Sequence, residues 1–331
     1  MINTFCYHFQ RGILGMGVVA LLLSGCTLPA VDASNLEEES AATTEADSAD
    51  LQDSPELSDD VTLTLGDISG NPVRKLRRYQ PFSQYLAAQL GGIGIEAGNV
   101  KIAPDMETMV QMLKSGEVDL YFDSPFPAME ISELSGATPI LRRWKKGAGA
   151  YHTVIFSLKD SPVKTAEDLK GRIVSFDDSW STSGYMLPIA HLKELGFKVT
   201  EQPSLATEPA PDAVGYFFSG DDDSTIQWVV AGRAAAGAIG SSDFDKIPRE
   251  TRDRLHVVVE TESVPRQLVM VAPHLSPEQV EAITAALVAV DEDAAAKSAL
   301  EQFEETSEFD ALPEGTEAAF ARLRKLHRLA K

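Results

Sequence analysis

Residues 168–188 read DLKGRIVSFDDSWSTSGYMLP, a short apolar strand followed by a run of hydroxyl side chains. The hydroxyls of Ser181, Thr182 and Ser183, followed by a glycine, stand between the predicted strand Arg172–Phe176 and a predicted helix. Amides and hydroxyls at a helix N-terminus donate hydrogen bonds to an anion, and the helix dipole favours negative charge there. The pattern predicts a neutral binding site for an oxyanion. The simpler alternative is a helix N-cap, which requires only one Ser or Thr.

Predicted strands and helices alternate on both sides of this segment. The strands cover residues 61–65, 100–103, 118–122, 152–156, 172–176, 197–199, 214–218, 235–239 and 255–259. Such alternation with short links predicts an α/β fold with parallel sheets covered on both faces, and ligands bind in the loops after the strands. We expect a turn at Asn71-Pro72 and a loop over Asp123–Pro127. The pattern becomes almost wholly helical after residue 275.

A dense basic run, Arg142-Arg143-Trp144-Lys145-Lys146, lies between the two groups of strands. Its charges are expected to form a solvated loop, and the alternative is a contact with an anionic ligand or with a transporter. The sequence contains no Gly-x-Ser-x-Gly nucleophile motif, no His-Glu-x-x-His zinc motif and no phosphate-binding P-loop. The pattern therefore favours a binding protein over an enzyme, although Ser181 or Ser183 would be the candidate nucleophile of an enzyme.

The N-terminus predicts a targeting segment. An apolar run over residues 13–23 is too short for a permanent membrane span, and it ends in Leu23-Ser24-Gly25-Cys26, which resembles the lipobox of bacterial lipoproteins. We expect residues 1–25 to be a signal peptide and Cys26 to carry fatty-acyl chains such as palmitate. A buried helix end is the alternative. Lipidation would place the protein in the cell envelope, anchored to a bacterial membrane, with its body facing the periplasm or the exterior.

The formal net charge of −21 is unevenly distributed. Residues 27–60 hold eleven acidic and no basic side chains, and they contain few residues that could form a core. Residues 26–60 are therefore predicted to be a disordered, acidic, lipid-tethered linker, or else a docking site for a basic partner. So acidic a chain is a poor candidate for binding nucleic acid. With Cys6 lost and Cys26 lipidated, a disulfide framework or cysteine metal site is excluded.

Several blocks of the chain resemble the phosphate-, phosphite- and phosphonate-binding proteins of bacterial ABC importers. They are Asp168–Phe176, Ser181–Pro188, Tyr79–Leu86, Leu113–Leu120 and Phe217–Asp223. The resemblance implies a type II periplasmic-binding-protein fold, with two α/β lobes joined by a two-strand hinge and the ligand between them. It implies that lobe one comprises residues 61–150 plus 264–331 and that lobe two comprises residues 151–263.

The resemblance also assigns ligand-binding residues. It implies that Ser181, Thr182 and Ser183 hold the phosphorus-bound oxygens and that Tyr79 contacts the ligand. The alternative for Tyr79 is an aromatic side chain packed against its lobe. Ser124 stands where the family has the glycine of a Gly-Pro pair, and we include it as a candidate.

Two candidate positions depart from the family. Asp222 stands where relatives place a histidine that faces the oxyanion, and Asp223 follows it. A carboxylate repels a phosphonate dianion unless it is protonated or faces a ligand amine. The departure favours a zwitterionic aminophosphonate, or a ligand without phosphorus such as a sulfonate, over inorganic phosphate. His152 is expected to line the cleft or to have a structural role.

We therefore expect a lipid-anchored solute-binding protein of an ABC importer, which acts as a monomer with a small-molecule ligand and an ABC permease as partners. No cofactor is expected, and no metal, because the run Asp221–Asp223 lacks the spacing of a calcium loop. The alternative function is a ligand-sensing subunit of a membrane receptor with the same fold.

Overall fold

The computed structural model of the protein describes residues 62–331. The predicted signal peptide, the lipidated Cys26 and the acidic tether lie outside the described residues. None of the helices between residues 62 and 331 combines the length and apolar character that crossing a bilayer requires.

The described residues alternate between strands and helices. The strands are β1 (Thr62–Ile68), β2 (Ala97–Ala103), β3 (Leu120–Asp123), β4 (Thr138–Lys145), β5 (Ala150–Tyr151), β6 (Thr153–Leu158), β7 (Ile173–Phe176), β8 (Lys198–Glu201), β9 (Ala213–Phe218), β10 (Ala236–Gly240), β11 (Leu255–Glu260), β12 (Val264–Pro265), β13 (Gln267–Val271) and β14 (Thr306–Asp310). The α-helices are α1 (Pro72–Gln89), α2 (Met106–Ser115), α3 (Pro125–Ser135), α4 (Leu187–Glu194), α5 (Asp222–Val230), α6 (Ser241–Phe244), α7 (Arg249–Arg252), α8 (Pro277–Val288), α9 (Lys297–Gln302) and α10 (Thr316–Ala330). Short 3₁₀ turns cover Gly91–Ile93, Ala166–Leu169 and Val290–Glu292, and a π-helical turn covers Thr182–Met186.

The strands form two six-stranded sheets. The first has the order β14-β4-β13-β3-β1-β2, and the second has the order β11-β6-β10-β7-β9-β8. We call the first sheet with α1–α3 and α8–α10 lobe one, and the second sheet with α4–α7 lobe two. The residue boundaries predicted for the lobes stay a prediction.

Both sheets are mixed rather than purely parallel, so the expectation of parallel sheets is only partly correct. In lobe one β1, β2 and β3 are parallel, whereas β13 runs antiparallel to both of its neighbours. In lobe two β7, β8, β9 and β10 are parallel, and β6 runs antiparallel to β10 and β11. The carboxyl ends of the parallel strands still meet at one edge of each sheet.

Two helices begin with a proline at the first helical position, where its missing N–H costs nothing. Helix α1 begins at Pro72, and the side chain of Asn71 caps it by accepting a hydrogen bond from the amide of Arg74 at 3.2 Å. Helix α3 begins at Pro125, directly after Ser124 at the N-cap position. The predicted turn is therefore a helix start, and the predicted loop after β3 is wrong.

All of the basic run except Lys146 lies in strand β4, so the prediction of a solvated loop is wrong. Arg143 is fully buried and donates hydrogen bonds to Thr306 Oγ1, Gln267 Oε1 and the carbonyl of Phe303 at 2.7–2.8 Å. A buried guanidinium requires such partners because its desolvation is costly. Thr306 belongs to β14, which pairs with β4 and interrupts the C-terminal region that was predicted to be helical.

Apolar side chains cover both faces of the lobe-one sheet and also fill the contact between the lobes. Phe82 of α1 stacks on Phe303 with ring centroids 4.4 Å apart. A second cluster of buried residues combines Phe126 and Met129 of α3 with Met186 and Leu187 of lobe two. The two lobes therefore share buried apolar contacts beside the edge where their strands end.

The lobes are also joined by a two-stranded sheet and by the C-terminal helix. Strands β5 and β12 pair antiparallel, with Tyr151 opposite Val264. Helix α10 packs against α3 and α4, and Lys325 of α10 lies 2.6 Å from Glu194 of α4. The short paired strands occupy the position expected for the hinge.

Candidate functional site

The three predicted hydroxyls occupy different environments at the π-helical turn before α4. The Oγ of Ser181 accepts a hydrogen bond from the amide of Gly184 at 2.9 Å, so this side chain serves as the N-cap. A Cβ on Gly184 would lie 2.3 Å from the Cβ of Asp177, which explains why glycine is required here. Ser181 thus has the capping role that the sequence left open.

Thr182 is buried and joins the two lobes. Its Oγ1 accepts a hydrogen bond from the amide of Phe126 in the first turn of α3 at 2.8 Å. Pro125 and Pro127 flank Phe126 and carry no amide hydrogen, so Phe126 supplies the single N–H at the first three positions of the helix. The bond satisfies a helix N-terminal donor that otherwise would need a cap.

The hydroxyl of Tyr151 in β5 completes this group. Burial raises its pKa, and hydrogen bonds with the side chains of Thr182 and Ser124 oppose that rise. We call the hydroxyls of Ser124, Tyr151 and Thr182, together with the amide of Phe126, the interlobe cradle. The interlobe cradle combines the N-terminus of α3, a hinge strand and the start of lobe two. It contains neutral hydrogen-bond donors, which suits an oxyanion.

Ser183 lies on the lobe-two side of the interlobe cradle. A Cβ on Gly240 would lie 3.1 Å from Ser183 Oγ and 3.4 Å from Asp243 Oδ2, so both side chains approach the end of β10. The carbonyl of Ser183 accepts a hydrogen bond from Thr153 Oγ1 at 2.6 Å. His152 is half-buried nearby, and its Nε2 lies 3.6 Å from a carboxylate oxygen of Glu260.

Carboxylates gather where the strands of lobe two end. We call Asp177, Asp222 and Asp243 the acidic cluster. Burial, followed by the charge of Asp177, raises the pKa of Asp222 to about 7. Burial, followed by the charge of Asp178, raises the pKa of Asp177 to about 6. Asp177 and Asp222 therefore hold protons up to near neutral pH, and both would ionise more readily beside a cation.

The predicted residues Asp222 and Asp223 both lie in the first turn of α5. Asp221 before them is the N-cap, and its carboxylate accepts a hydrogen bond from the amide of Ser224 at 2.6 Å. A surface cavity of 410 Å³ borders these residues, with Asp243 and Lys246 on its other side. The charges of Asp177 and Asp243 act on Asp222 of α5. Asp243 in turn approaches the end of β10 beside Ser183, while Tyr79 and Ser124 lie in lobe one.

Tyr79 is buried in lobe one, with its ring 4.5 Å from that of Phe303 in an edge-to-face contact. Burial, followed by the charge of Asp67, raises the pKa of its hydroxyl well above the ordinary value. Lys75 forms ion pairs with Asp67 and, at 2.7 Å, with Glu304. Tyr79 therefore packs beside a buried ionic network, and its contact with a ligand stays a prediction.

The same network continues toward the interlobe cradle. Glu304 also pairs with Lys145 at 2.6 Å and lies 3.5 Å from Arg143. Asp123 ends strand β3, accepts a hydrogen bond from the Tyr121 hydroxyl at 2.6 Å and accepts another from the amide of Ser124. Burial raises the pKa of Asp123. Its second partner, Ser124, is a member of the interlobe cradle.

A family model described as "ABC transporter, phosphonate, periplasmic substrate-binding protein" matches residues 69–313. The chain belongs to this family. The phosphonate-binding family accounts for the sequence blocks around the π-helical turn and confirms the resemblance found in the sequence. It consists of substrate-binding components of transporters.

Individual relatives agree with the family. The chain is 30% identical over 191 residues to the phosphate-import protein PhnD of Mycolicibacterium smegmatis, and the aligned region covers 56% of this chain and 57% of that protein. Little more than half the length of this curated relative is therefore matched. XAC2383 from Xanthomonas citri, solved with chloride and with ATP, is 27% and 26% identical in the two structures, with a TM-score of 0.74 in both. Each alignment covers 81% of this chain and 98% of XAC2383.

A more distant structure shares the fold. PhnD1 from Prochlorococcus marinus, in complex with methylphosphonate, is 18% identical, with a TM-score of 0.56 over 81% of this chain and 97% of that chain. This protein of the phosphonate-binding family thus has the type II periplasmic-binding fold that its sequence implied.

One group of potential metal ligands lies between α3 and α10, where the ring of His327 packs on the ring of Phe126 with centroids 5.1 Å apart. Glu130 and Glu133 of α3 approach His327 of α10, whose Nε2 bonds to a Glu130 oxygen at 2.8 Å. Lys331 Nζ lies 2.7 Å from the same oxygen of Glu130. Because a lysine already neutralises this carboxylate, we interpret the group as an ionic contact between two helices.

Four contributors to the site were not found in the sequence: Asp177, Asp243, the amide of Phe126 and the hydroxyl of Tyr151. Asp177 directly follows a predicted strand, and the rule that ligands bind at the carboxyl ends of parallel strands would have indicated it. The amide of Phe126 and the hydroxyl of Tyr151 carry no such signal. Their roles depend on the contact between the lobes, which no local pattern encodes.

Proposed function

We propose that the protein binds a small phosphonate-type oxyanion that also carries a cationic group, and delivers it to an ABC permease. The observation that supports this proposal most directly is the position of the acidic cluster beside the interlobe cradle. The segment from Ser181 to Gly184 separates them, with Thr182 on the cradle side and Gly184 against Asp177. A ligand with an anionic and a cationic group would place the first at the interlobe cradle and the second at the acidic cluster.

The interlobe cradle suits the oxyanion. Its amide and hydroxyl donors form hydrogen bonds with an ionised oxygen that are shorter and stronger than bonds between neutral groups. In the structure the hydroxyl of Thr182 accepts the hydrogen bond of the Phe126 amide. An anionic oxygen is a stronger acceptor than a hydroxyl and would replace it or join it there.

The acidic cluster suits the cation. Burial raises both pKa values first, and repulsion by neighbouring carboxylates adds to it: Asp178 acts on Asp177, and Asp177 acts on Asp222. An ammonium group placed between them would relieve this repulsion and favour the ionised forms. An aminoalkylphosphonate therefore fits better than inorganic phosphate, which brings only negative charge.

Binding would couple to closure of the lobes. The cradle takes its members from both lobes and from the hinge strand β5, so a ligand held by all of them stabilises the closed arrangement. Such a change is a shift in population toward the state with more ligand contacts. The closed form would then dock with the permease as a monomer.

We also propose that Cys26 is lipidated and anchors the protein in the cell envelope, with the body on the periplasmic or exterior side. The sequence Leu23-Ser24-Gly25-Cys26 supports this. Fractionation of cells that express the wild-type chain or Cys26→Ser tests it. We expect the wild type in the membrane fraction and the variant in the soluble or secreted fraction. An identical distribution of the two would contradict the anchor.

Isothermal titration calorimetry with the purified protein tests the ligand class. We expect 2-aminoethylphosphonate to bind about tenfold or more tightly than methylphosphonate, because an ion pair with the acidic cluster contributes roughly 1.4 kcal/mol or more. Phosphate, phosphite and taurine complete the set. If no phosphorus oxyanion binds, the ligand class is wrong. If methylphosphonate and 2-aminoethylphosphonate bind equally, the cationic part is wrong.

A further inference from the structure

The arginine at position 266 lies between the hinge strand β12 and strand β13 of lobe one. Its backbone amide donates to the carbonyl of Gly149 at 2.9 Å, which fixes the chain next to β5. Its guanidinium carbon lies 4.5 Å from the centre of the Tyr151 ring. Since the Tyr151 hydroxyl belongs to the interlobe cradle, Arg266 places a formal positive charge beside that site.

The other cations near the interlobe cradle are already neutralised. Lys75 and Lys145 both pair with Glu304, and Lys75 also pairs with Asp67. The side chain of Arg266 forms no ion pair with a carboxylate anywhere in residues 62–331. Its charge is therefore available to a ligand.

The charge of Arg266 acts on its surroundings. Burial lowers the pKa of Lys145, and repulsion by Arg143 and Arg266 lowers it further. Arg266 also favours the ionised form of the Tyr151 hydroxyl, although burial raises the pKa of that group overall. Arg266 is a half-buried cation without an acidic partner, and it contacts a ring whose hydroxyl belongs to the interlobe cradle. Such a cation is unusual because desolvating its charge is costly.

Every other member of the interlobe cradle is neutral. Hydroxyls and amides bind an anion through dipoles, and they distinguish weakly between one and two negative charges, whereas a guanidinium adds a Coulomb attraction that grows with the charge of the ligand. We propose that Arg266 is a specificity-determining residue, whose guanidinium makes this site select a doubly charged phosphonate or phosphate ester over singly charged oxyanions such as sulfonates. This inference rests on the proposed function, since it concerns the same site.

The test compares Arg266→Gln and Arg266→Lys with the wild-type protein by isothermal titration calorimetry. The probes are methylphosphonate and methanesulfonate in mildly alkaline buffer, where the first is doubly and the second singly charged. Arg233→Gln is the matched control, because Arg233 makes the same kind of contact with the Trp228 ring, at 5.3 Å, in lobe two.

We expect Arg266→Gln to weaken methylphosphonate binding about tenfold or more and methanesulfonate binding clearly less, as for the loss of a charged partner. Arg266→Lys should keep most of the preference for methylphosphonate, and Arg233→Gln should leave both affinities unchanged. The ratio of the two affinities does not depend on the fraction of folded protein, so it remains informative if a variant is less stable.

The possible results distinguish the role of Arg266 from the proposed function of the protein. An unchanged affinity ratio in Arg266→Gln, with wild-type protein that binds methylphosphonate, would overturn the role of Arg266 and leave the proposed function in place. Wild-type protein that binds no phosphonate would overturn the proposed function, and the role of Arg266 with it.

Discussion

The backbone amide of Phe126 donates a hydrogen bond to Oγ1 of Thr182 at 2.8 Å and thereby joins the first turn of α3 to the start of lobe two. Both groups are buried, and the residues on either side of Phe126 are prolines that have no amide hydrogen. The bond is therefore both the cap of a helix and a contact between lobes. Its position beside Tyr151 and Ser124 makes it the structural centre of the proposed ligand site.

Replacing Thr182 by alanine should weaken ligand binding. The change removes a hydroxyl that we propose as a contact of the oxyanion, and hydrogen bonds to charged groups contribute about 1.5–3 kcal/mol, so we expect a loss of roughly tenfold to hundredfold in affinity for methylphosphonate. Stability should fall by about 1–2 kcal/mol because the Phe126 amide loses its partner. Calorimetry and urea unfolding measure the two effects. Thr251→Ala in α7 is the control, and wild-type affinity in Thr182→Ala would contradict the site.

Replacing Gly184 by alanine should damage the π-helical turn. The new Cβ would lie 2.3 Å from the Cβ of Asp177 and 2.9 Å from Ser181 Oγ, so the segment must move. Overpacking of this kind costs about 1–3 kcal/mol. We expect a lower urea midpoint together with weaker ligand binding. Gly70→Ala is the matched control because no heavy atom lies within 4 Å of the Cβ that it adds. Equal midpoints for the two variants would show that the turn tolerates the change.

Replacing Asp222 by asparagine should stabilise the protein at alkaline pH. Burial and the neighbouring Asp177 raise the pKa of Asp222 to about 7 in the folded state, above its value of 3.8 in a model compound. The folded state then binds more protons than the unfolded state between these values, so this group lowers stability as the pH rises through that window. Above pH 7 the whole penalty is present, and Asp222→Asn removes it.

After allowance for solvent screening, the expected gain in the free energy of unfolding near pH 8 is about 2 kcal/mol. Urea unfolding at several pH values measures it. Asp212→Asn is the control, because its pairing with Lys198 lowers the pKa of Asp212 and gives it the opposite pH dependence. If Asp222→Asn and the wild type show the same slope with pH, Asp222 is not protonated as described.

Replacing Glu304 by glutamine should destabilise lobe one. Burial opposes the ionised form of Glu304, but Lys145, Arg143 and Lys75 together hold its pKa well below the ordinary value. Lys75 keeps its pair with Asp67, but removing the charge of Glu304 leaves Lys145 and Arg143 without a carboxylate partner, which typically costs about 3 kcal/mol or more for a buried pair. Because the folded pKa is lowered, the stabilisation by Glu304 is present above the unfolded pKa and is lost as the pH falls.

Urea unfolding at neutral pH measures this loss. Glu301→Gln changes an exposed carboxylate in α9, the helix that ends just before Glu304, and should have little effect. A similar small change in Glu304→Gln would mean that the ionic network contributes nothing net to stability. That result is physically possible for buried ion pairs, so the experiment is informative in both directions.

The strands of lobe two were predictable because they are short apolar or β-branched runs between turn residues. Strands β7, β9 and β10 lie within one or two residues of their predicted bounds. Strands β4 and β14 were missed because their sequences, TPILRRWK and TSEFD, carry charged residues. Those charges are satisfied by one another, since Arg142 of β4 donates to Asp310 of β14 at 2.8 Å. A local pattern cannot show that a distant segment supplies the partner.

For the candidate site, the location was predictable from the sequence and the role of each residue was not. The hydroxyl run before α4 indicated its location because the signal is local. The separate roles of the three hydroxyl side chains were not predictable, since they depend on Gly184, on Phe126 from lobe one and on the end of β10. The prediction from the sequence gave Ser181 and Thr182 the same role. In the structure Ser181 caps its own turn, whereas Thr182 contacts the other lobe.

The order of strands in lobe one has a consequence for how the chain folds during synthesis. The strands of lobe two are complete when residue 260 has been made, whereas β13, which separates β3 from β4, ends at residue 271. Until β13 is inserted, β4 has no neighbour through which to join β1, β2 and β3. Lobe two is therefore expected to fold first. The strands β1, β2 and β3 keep an unpaired edge at β3 until β13 is made, about 130 residues after β4. A ribosome or translocation machinery that releases this chain early would expose an incomplete first sheet beside a finished second one.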